Sequence, residues 1–98
     1  MKRRVIFRHE AEIEFNEAAC WYEARRRNLG REFIAAVEET IDLIRARPEL
    51  FRIVAPKVRE AEMKRFPYSV IYHVKDNEIL IVGVFHGSRD PAQWRKRL

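Results

Sequence analysis

The chain has 98 residues, which is room for one compact domain, 1–98, and its 47% hydrophobic content is ordinary for a globular protein. Lysine and arginine number 20 against 15 acidic residues, and the formal charge of +5 favours an anionic partner such as nucleic acid, the ribosome or an acidic protein segment. Cys20 is the only cysteine, so we expect no internal disulfide. No segment reaches the roughly 20 apolar residues of a membrane span, and the start MKRRVIFRHE lacks the apolar core of a signal peptide. We therefore expect a cytoplasmic protein.

The first third of the chain predicts a strand and a helix. Residues 4–8, RVIFR, are short and β-prone and predict the strand. After it, Ala11, Phe15, Ala18 and Tyr22 recur at helical spacing. Glutamates 10, 12 and 14 stand at the start of this segment and arginines 25–27 at its end, and both charges complement the helix dipole. We expect the helix to end at residues 28–30, where an asparagine and a glycine tolerate a left-handed conformation.

A second helix follows at once. Phe33, Val37, Ile41 and Ile44 form another apolar stripe at helical spacing, and Pro48 is expected to end it. The short connection makes the two helices an antiparallel hairpin. Because each helix has one apolar face, both must pack on another layer, which we expect to be a sheet.

The second half of the chain predicts that sheet. Residues 58–66 alternate between apolar and charged, and residues 68–74 are strongly β-prone. Residues 75–78, KDNE, form a polar turn, and residues 79–85 are almost wholly apolar, which is typical of a central strand buried on both faces. Pro67 is expected at a strand boundary because it has no N–H to donate. The predicted order is β-α-α-β-β-β with a short C-terminal piece.

Two long stretches then resemble one protein superfamily. Residues 11–51 look like a helical hairpin that ends in a proline before an aromatic residue. Residues 65–97 look like a strand–turn–strand core with a His–x–x–Arg–x–Pro ending. In this order they resemble the RelE/ParE superfamily of bacterial type II toxin–antitoxin modules, over nearly the whole chain. The ending is similar to that of the ParE-like branch, which includes plasmid stabilisation proteins.

The resemblance implies an α+β fold in which the antiparallel hairpin packs on a mostly antiparallel four-stranded sheet with a short C-terminal helix. It also implies a small toxin that is neutralised by a cognate antitoxin protein. ParE-like members bind DNA gyrase, whereas RelE-like members enter the ribosome and cut mRNA. RelE-like nucleases carry an arginine inside the third strand, and here that position is Ser69. The ParE-like branch is therefore the first hypothesis, with a gyrase-binding toxin that is not an enzyme.

Two alternatives stay open. A ribosome-dependent mRNA endoribonuclease needs a base, an acid and cations around the phosphate, and four residues offer these groups: Arg65, Tyr68, His86 and Arg89. The other alternative is a family member without toxicity.

The segment HGSRDP, residues 86–91, also has a structural interpretation. Ser88 or Asp90 can cap a short helix with Pro91 in its first turn, and Trp94 then folds back onto the domain. A hydrolytic triad of His86, Ser88 and Asp90 is rejected because these residues are too close in sequence. The sequence has neither a metal-ligand spacing nor a phosphate-binding glycine loop, so we expect no metal and no cofactor.

The expected binding residues lie at two places. A tryptophan among basic residues is a combination enriched at interfaces, so target binding is assigned to Arg89, Trp94, Arg95, Lys96 and Arg97. Antitoxin binding is assigned to the hairpin, with Trp21 and Phe33 lining part of a groove for a disordered acidic segment.

Overall fold

The computed structural model describes residues 3–98, which form three α-helices and five strands. The helices are α1 (His9–Arg25), α2 (Leu29–Ala46) and α3 (Ala92–Arg95), and a 3-10 turn covers Pro48–Leu50. The strands are β1 (Arg4–Phe7), β2 (Arg52–Ala55), β3 (Val58–Glu62), β4 (Tyr68–Lys75) and β5 (Glu78–His86). Within this part of the chain, no helix combines the length and the apolar character needed to cross a bilayer.

The turn between α1 and α2 is held by Glu23. Its carboxylate accepts the backbone N–H groups of Asn28 and Gly30, each at 2.9 Å, and these bonds hold the pKa of Glu23 below its ordinary value. Asn28 is left-handed, with φ of 69°, as predicted. The same role predicted for Gly30 is wrong, because Gly30 lies inside α2 with a negative φ. A Cβ at Gly30 would come within 2.5 Å of the Ala19 carbonyl oxygen, so the glycine permits the close approach of the two helices.

The five strands form one mixed sheet in the order β1-β5-β4-β3-β2. β1 runs parallel to β5, and the other neighbours are antiparallel. β5 is paired on both sides, as its apolar sequence indicates. The sheet has one strand more than the four expected, because residues 52–55 turn back at Lys57, whose φ is 63°, and pair with β3. β3 ends at Glu62, before the expected residue 66, and the chain then passes through Pro67 into β4.

Both faces of the sheet are covered. The helical hairpin packs on one face, where its core includes Phe33, Val37, Val70, Tyr72 and Ile81. Trp94 of α3 packs on the other face, together with Val58, Ile71, Val82 and Phe85. Burial on both faces is what fixes the register of the central strands. The α+β fold, the hairpin and the C-terminal helix are confirmed.

Candidate functional site

A groove of about 540 Å³ separates α1 from the ends of β4 and β5, and we call it the hairpin groove. Its lining residues include Glu17, Trp21, Pro67, Tyr68, His86 and Arg89. Trp21 is 53% exposed, and the guanidinium of Arg25 lies 4.2 Å from the centre of its ring. Tryptophan and arginine are both enriched at the centres of protein interfaces, so this pair is a candidate contact for a partner.

His86 and Tyr68 form one wall of the hairpin groove. Their rings lie 5.2 Å apart and nearly perpendicular. The backbone N–H of Ser88 donates to Nδ1 of His86 at 3.0 Å, so that nitrogen is an acceptor and the ring proton of the neutral imidazole lies on Nε2. Burial raises the pKa of the Tyr68 phenol, which keeps it protonated. The bond from Ser88, two residues along the chain, orients the ring of His86.

Three of the four nuclease candidates meet at this groove, and one does not. Tyr68, His86 and Arg89 all line it. Arg65 instead bonds to Glu32 of α2 and lies over the ring of Phe66. Ser69, where an arginine was expected for a RelE-like nuclease, is buried on the opposite face of the sheet, beside Ile71 and Phe85.

The C-terminal residues are fixed to the body by a set of contacts that we call the tail network, formed by Arg8, Glu14 and Arg97. Nη2 of Arg97 donates to Oε2 of Glu14 at 2.7 Å, and Nη1 donates to Oε1 at 3.0 Å. Nη1 also donates to the carbonyl oxygen of Val82, and Glu14 accepts the N–H of Val84. Arg8 donates to the backbone oxygen of Arg97 at 2.9 Å. The hydrogen bonds to Glu14 raise the pKa of Arg97 above its usual value.

The tail network lies where β1 has ended and the edge of β5 is open. β1 pairs with β5 only as far as Ile81. Beyond that point Glu14 and Arg97 supply the hydrogen bonds that a neighbouring strand would supply. A Cβ on Gly83 would lie 3.2 Å from Nη1 of Arg97, so the glycine leaves room for the guanidinium beside β5.

The residues assigned to target binding divide into two sets. Trp94 is only 4% exposed and Arg97 is held by the tail network, so both hold the tail in place. Arg89, Arg95 and Lys96 are exposed. Asp90 accepts the N–H of Ala92 at 3.0 Å, one residue before Pro91, which is the N-cap of α3 and makes no side-chain cap bond.

The two antitoxin-binding residues also differ in position. Trp21 lines the hairpin groove, whereas Phe33 is fully buried and packs against Phe66 and Tyr68. Phe33 therefore has no surface that a partner can touch in this conformation.

A second, smaller cleft lies on the sheet face that carries α3, and we call it the arginine cleft. It measures about 140 Å³, and its lining includes Arg52, Arg89 and Arg95 around Ile71, Phe85 and Trp94. Arg52 was not predicted as a site residue, because residues 52–55 were assigned to no element. Glu14 was predicted only as a helix-start charge, although it falls on the same helical face as Ala11 and Ala18, where an unpaired charge would be costly.

The part of the chain that the structure describes holds no cluster of three or more His, Cys, Asp or Glu side chains suited to a metal ion.

Comparison with known proteins assigns the family. The sequence model for the ParE toxin of the type II toxin–antitoxin system parDE matches residues 5–91. One solved structure with the same fold is described as the chromosomal ParDE TA system from P. aeruginosa; it is 16% identical, with a TM-score of 0.62, over 87% of this chain and 96% of that one. No curated protein matches the chain. A family match over residues 5–91 and a shared fold together show that the chain belongs to the ParE toxin family of type II toxin–antitoxin systems.

Proposed function

We propose that this protein is the toxin of a toxin–antitoxin pair, that it acts in the cytoplasm by binding DNA gyrase, and that a cognate antitoxin neutralises it. The observation that carries the proposal is the match of the ParE toxin family to residues 5–91. The chemistry of the site supports binding over catalysis. The resemblance to RelE-like nucleases implies an arginine inside the third strand, and here that position holds the buried Ser69.

The test is a gyrase assay with the purified protein. We expect inhibition of supercoiling, or accumulation of cleaved DNA, at protein concentrations near that of the enzyme. Addition of the antitoxin encoded by the neighbouring reading frame should restore supercoiling. Unchanged gyrase activity at every ratio of the two proteins would refute the proposal.

An mRNA endoribonuclease is the second candidate function, and one observation favours it. Tyr68, His86 and Arg89 share the hairpin groove with the carboxylate of Glu17, which brings an acid, a base and a cation to one surface. Its signature is mRNA cleavage that requires ribosomes and is lost in His86→Ala. The same preparation can be used for both assays. A gyrase-binding toxin inhibits supercoiling and leaves mRNA intact, whereas an endoribonuclease cuts mRNA and leaves supercoiling unchanged.

A further inference from the structure

We infer that the arginine cleft is the surface through which the protein binds an acidic segment of its target. The inference rests on the proposed function, in which that target is DNA gyrase. It assigns the contact to Arg52, Arg89 and Arg95, and it leaves Trp94 and Arg97 as positioning residues.

The charge of the cleft supports an anionic occupant. The side chains of Arg52 and Arg89 are 68% and 48% exposed. The one carboxylate in the lining, Glu60, pairs with Arg52, and Arg89 lies 3.7 Å from Glu14, a carboxylate that Arg97 already binds. Arg95 makes no salt bridge within residues 3–98, and its guanidinium lies 5.4 Å from the centre of the Trp94 ring. The cleft therefore presents more guanidinium charge than the protein itself neutralises, and a guanidinium binds a carboxylate through two parallel hydrogen bonds.

The size and floor of the cleft indicate a protein side chain. Its volume of about 140 Å³ is smaller than the roughly 300–1,000 Å³ of ordinary small-molecule sites. Its floor is apolar, formed by Val54, Ile71, Phe85 and Trp94. An aspartate or glutamate fits both properties, because its aliphatic stem can lie on the floor while its carboxylate reaches the arginines.

The surroundings of the cleft argue against a nucleic-acid backbone. Polynucleotides need positive charge along a track that follows successive phosphates. The neighbouring hollow on this face is lined by Glu60 and Glu62 as well as Arg52. The positive charge is therefore concentrated at one point, where it suits a short acidic segment.

The position of Arg95 depends on the rest of the tail. Trp94 is buried under the sheet face, and Arg97 is bonded to Glu14 across the edge of β5. Arg89 lies on a loop that is fixed at its start by the bond from Gly87 N–H to the Pro67 carbonyl oxygen, 2.8 Å long. The three arginines thus converge from β2, a loop and α3 in a geometry set before the target arrives, which lowers the entropic cost of binding.

The experiment compares Arg95→Gln and the double variant R52Q/R95Q with the control Arg27→Gln. Arg27 is an exposed arginine near the hairpin turn, outside both clefts, and its loss changes the net charge by one unit, as Arg95→Gln does. Each protein is assayed for gyrase inhibition, for antitoxin affinity, for binding of single-stranded RNA and for thermal unfolding. We expect the inhibitory concentration to rise roughly tenfold for Arg95→Gln and further for the double variant, since charge-assisted hydrogen bonds are lost. Antitoxin affinity and the unfolding temperature should stay near wild type, and the control should match wild type throughout.

Three outcomes would overturn the inference. One is full gyrase inhibition by the double variant. Another is an equal loss of inhibition in Arg27→Gln, because net charge alone would then explain the effect. The third is unchanged inhibition combined with a loss of single-stranded RNA binding, which would make the cleft a nucleic-acid site. Failure of the wild-type protein to inhibit gyrase is a different result, since it removes the proposed function and this inference with it.

Discussion

At the scale of single residues, Trp21 is the one aromatic side chain among the exposed large hydrophobic residues of the described part of the chain. It lies in the hairpin groove with Arg25 stacked on its ring, and its neighbour Tyr22 is packed into the aromatic core. Large aromatic side chains that are exposed in the free protein and buried in a complex contribute strongly to affinity.

We expect Trp21→Ala to raise the dissociation constant of the antitoxin complex about tenfold or more, because a buried aromatic anchor is lost. The control is Leu43→Ala, a similarly exposed apolar residue, 51%, on α2 and outside the groove. Isothermal titration of both variants with the antitoxin provides the measurement. Wild-type affinity in Trp21→Ala would show that the antitoxin binds elsewhere.

Tyr72 links the sheet to the end of the hairpin. Its hydroxyl donates to the carbonyl oxygen of Pro48, and burial raises its pKa to about 12. In the unfolded chain the phenol has its ordinary pKa of about 10. The neutral phenol therefore stabilises the fold fully below about pH 10, and this contribution is lost as the pH rises toward about 12.

We expect Tyr72→Phe to lower the free energy of unfolding by about 1 kcal/mol near neutral pH, because a buried carbonyl loses its donor. Above about pH 10 the variant should lose stability less steeply with pH than the wild type does, since it has one ionisable phenol fewer. Urea unfolding across this range gives both quantities. Parallel pH profiles for the two proteins would contradict the assignment.

At the scale of elements, the junction of α1, β5 and the tail depends on one buried ion pair. The side chains of Glu14 and Arg97 are 9% and 15% exposed. Removal of one partner from such a pair leaves an uncompensated charge, which costs more than the pair itself contributes.

Glu14→Gln keeps the shape of the side chain and removes its charge, and we expect it to lower the free energy of unfolding by about 2 kcal/mol. The backbone amides of residues 92–98 should then exchange hydrogen faster than in wild type, because α3 is held less firmly. The matched control is Glu17→Gln, one turn further along α1 and exposed, which should change neither quantity. Wild-type exchange of the tail in Glu14→Gln would show that Trp94 holds α3 alone.

The two helices could be predicted from their apolar spacing and β5 from its continuous apolar run, because both signals are local properties of the sequence. β2 was missed because it is only four residues long, and its identity as a strand depends on pairing with β3. The tail network joins residues 83 positions apart, Glu14 and Arg97, so no spacing rule can detect it. Trp94 was expected to fold back onto the domain, but the sheet face that it covers was not predicted, and its burial differs from the target-binding role assigned to it. The full burial of Phe33 was not expected, since helical spacing does not separate the core of a stripe from its margin.

At the scale of the whole molecule, the positive charge is unevenly distributed. Arginines 25–27 lie at the end of α1, and Lys64 and Arg65 lie on the loop before β4. Glu32 pairs with both Arg26 and Arg65, so these two segments lie together. The tail adds a second basic region. A net charge of +5 on so small a protein raises its rate of encounter with anionic partners.

We therefore expect the association rate with gyrase to fall severalfold between about 0.05 M and 0.5 M salt, because the Debye length shortens from about 14 Å to about 4 Å. The dissociation rate should change less, since contacts within the complex are partly shielded from solvent. Stopped-flow or surface-binding kinetics at several salt concentrations measure both rates. An association rate independent of salt would exclude electrostatic steering.

The parallel pairing of β1 with β5 has a consequence for synthesis. Val5 pairs with Ile79, so the first strand finds its partner only after most of the chain has left the ribosome. Loop closure over such a separation is slow compared with the formation of a helical hairpin. Until then the edge of β5 that receives Glu14 and Arg97 does not exist, and α3 has no sheet face to cover. We therefore expect the surface around α3 to form after the helical hairpin.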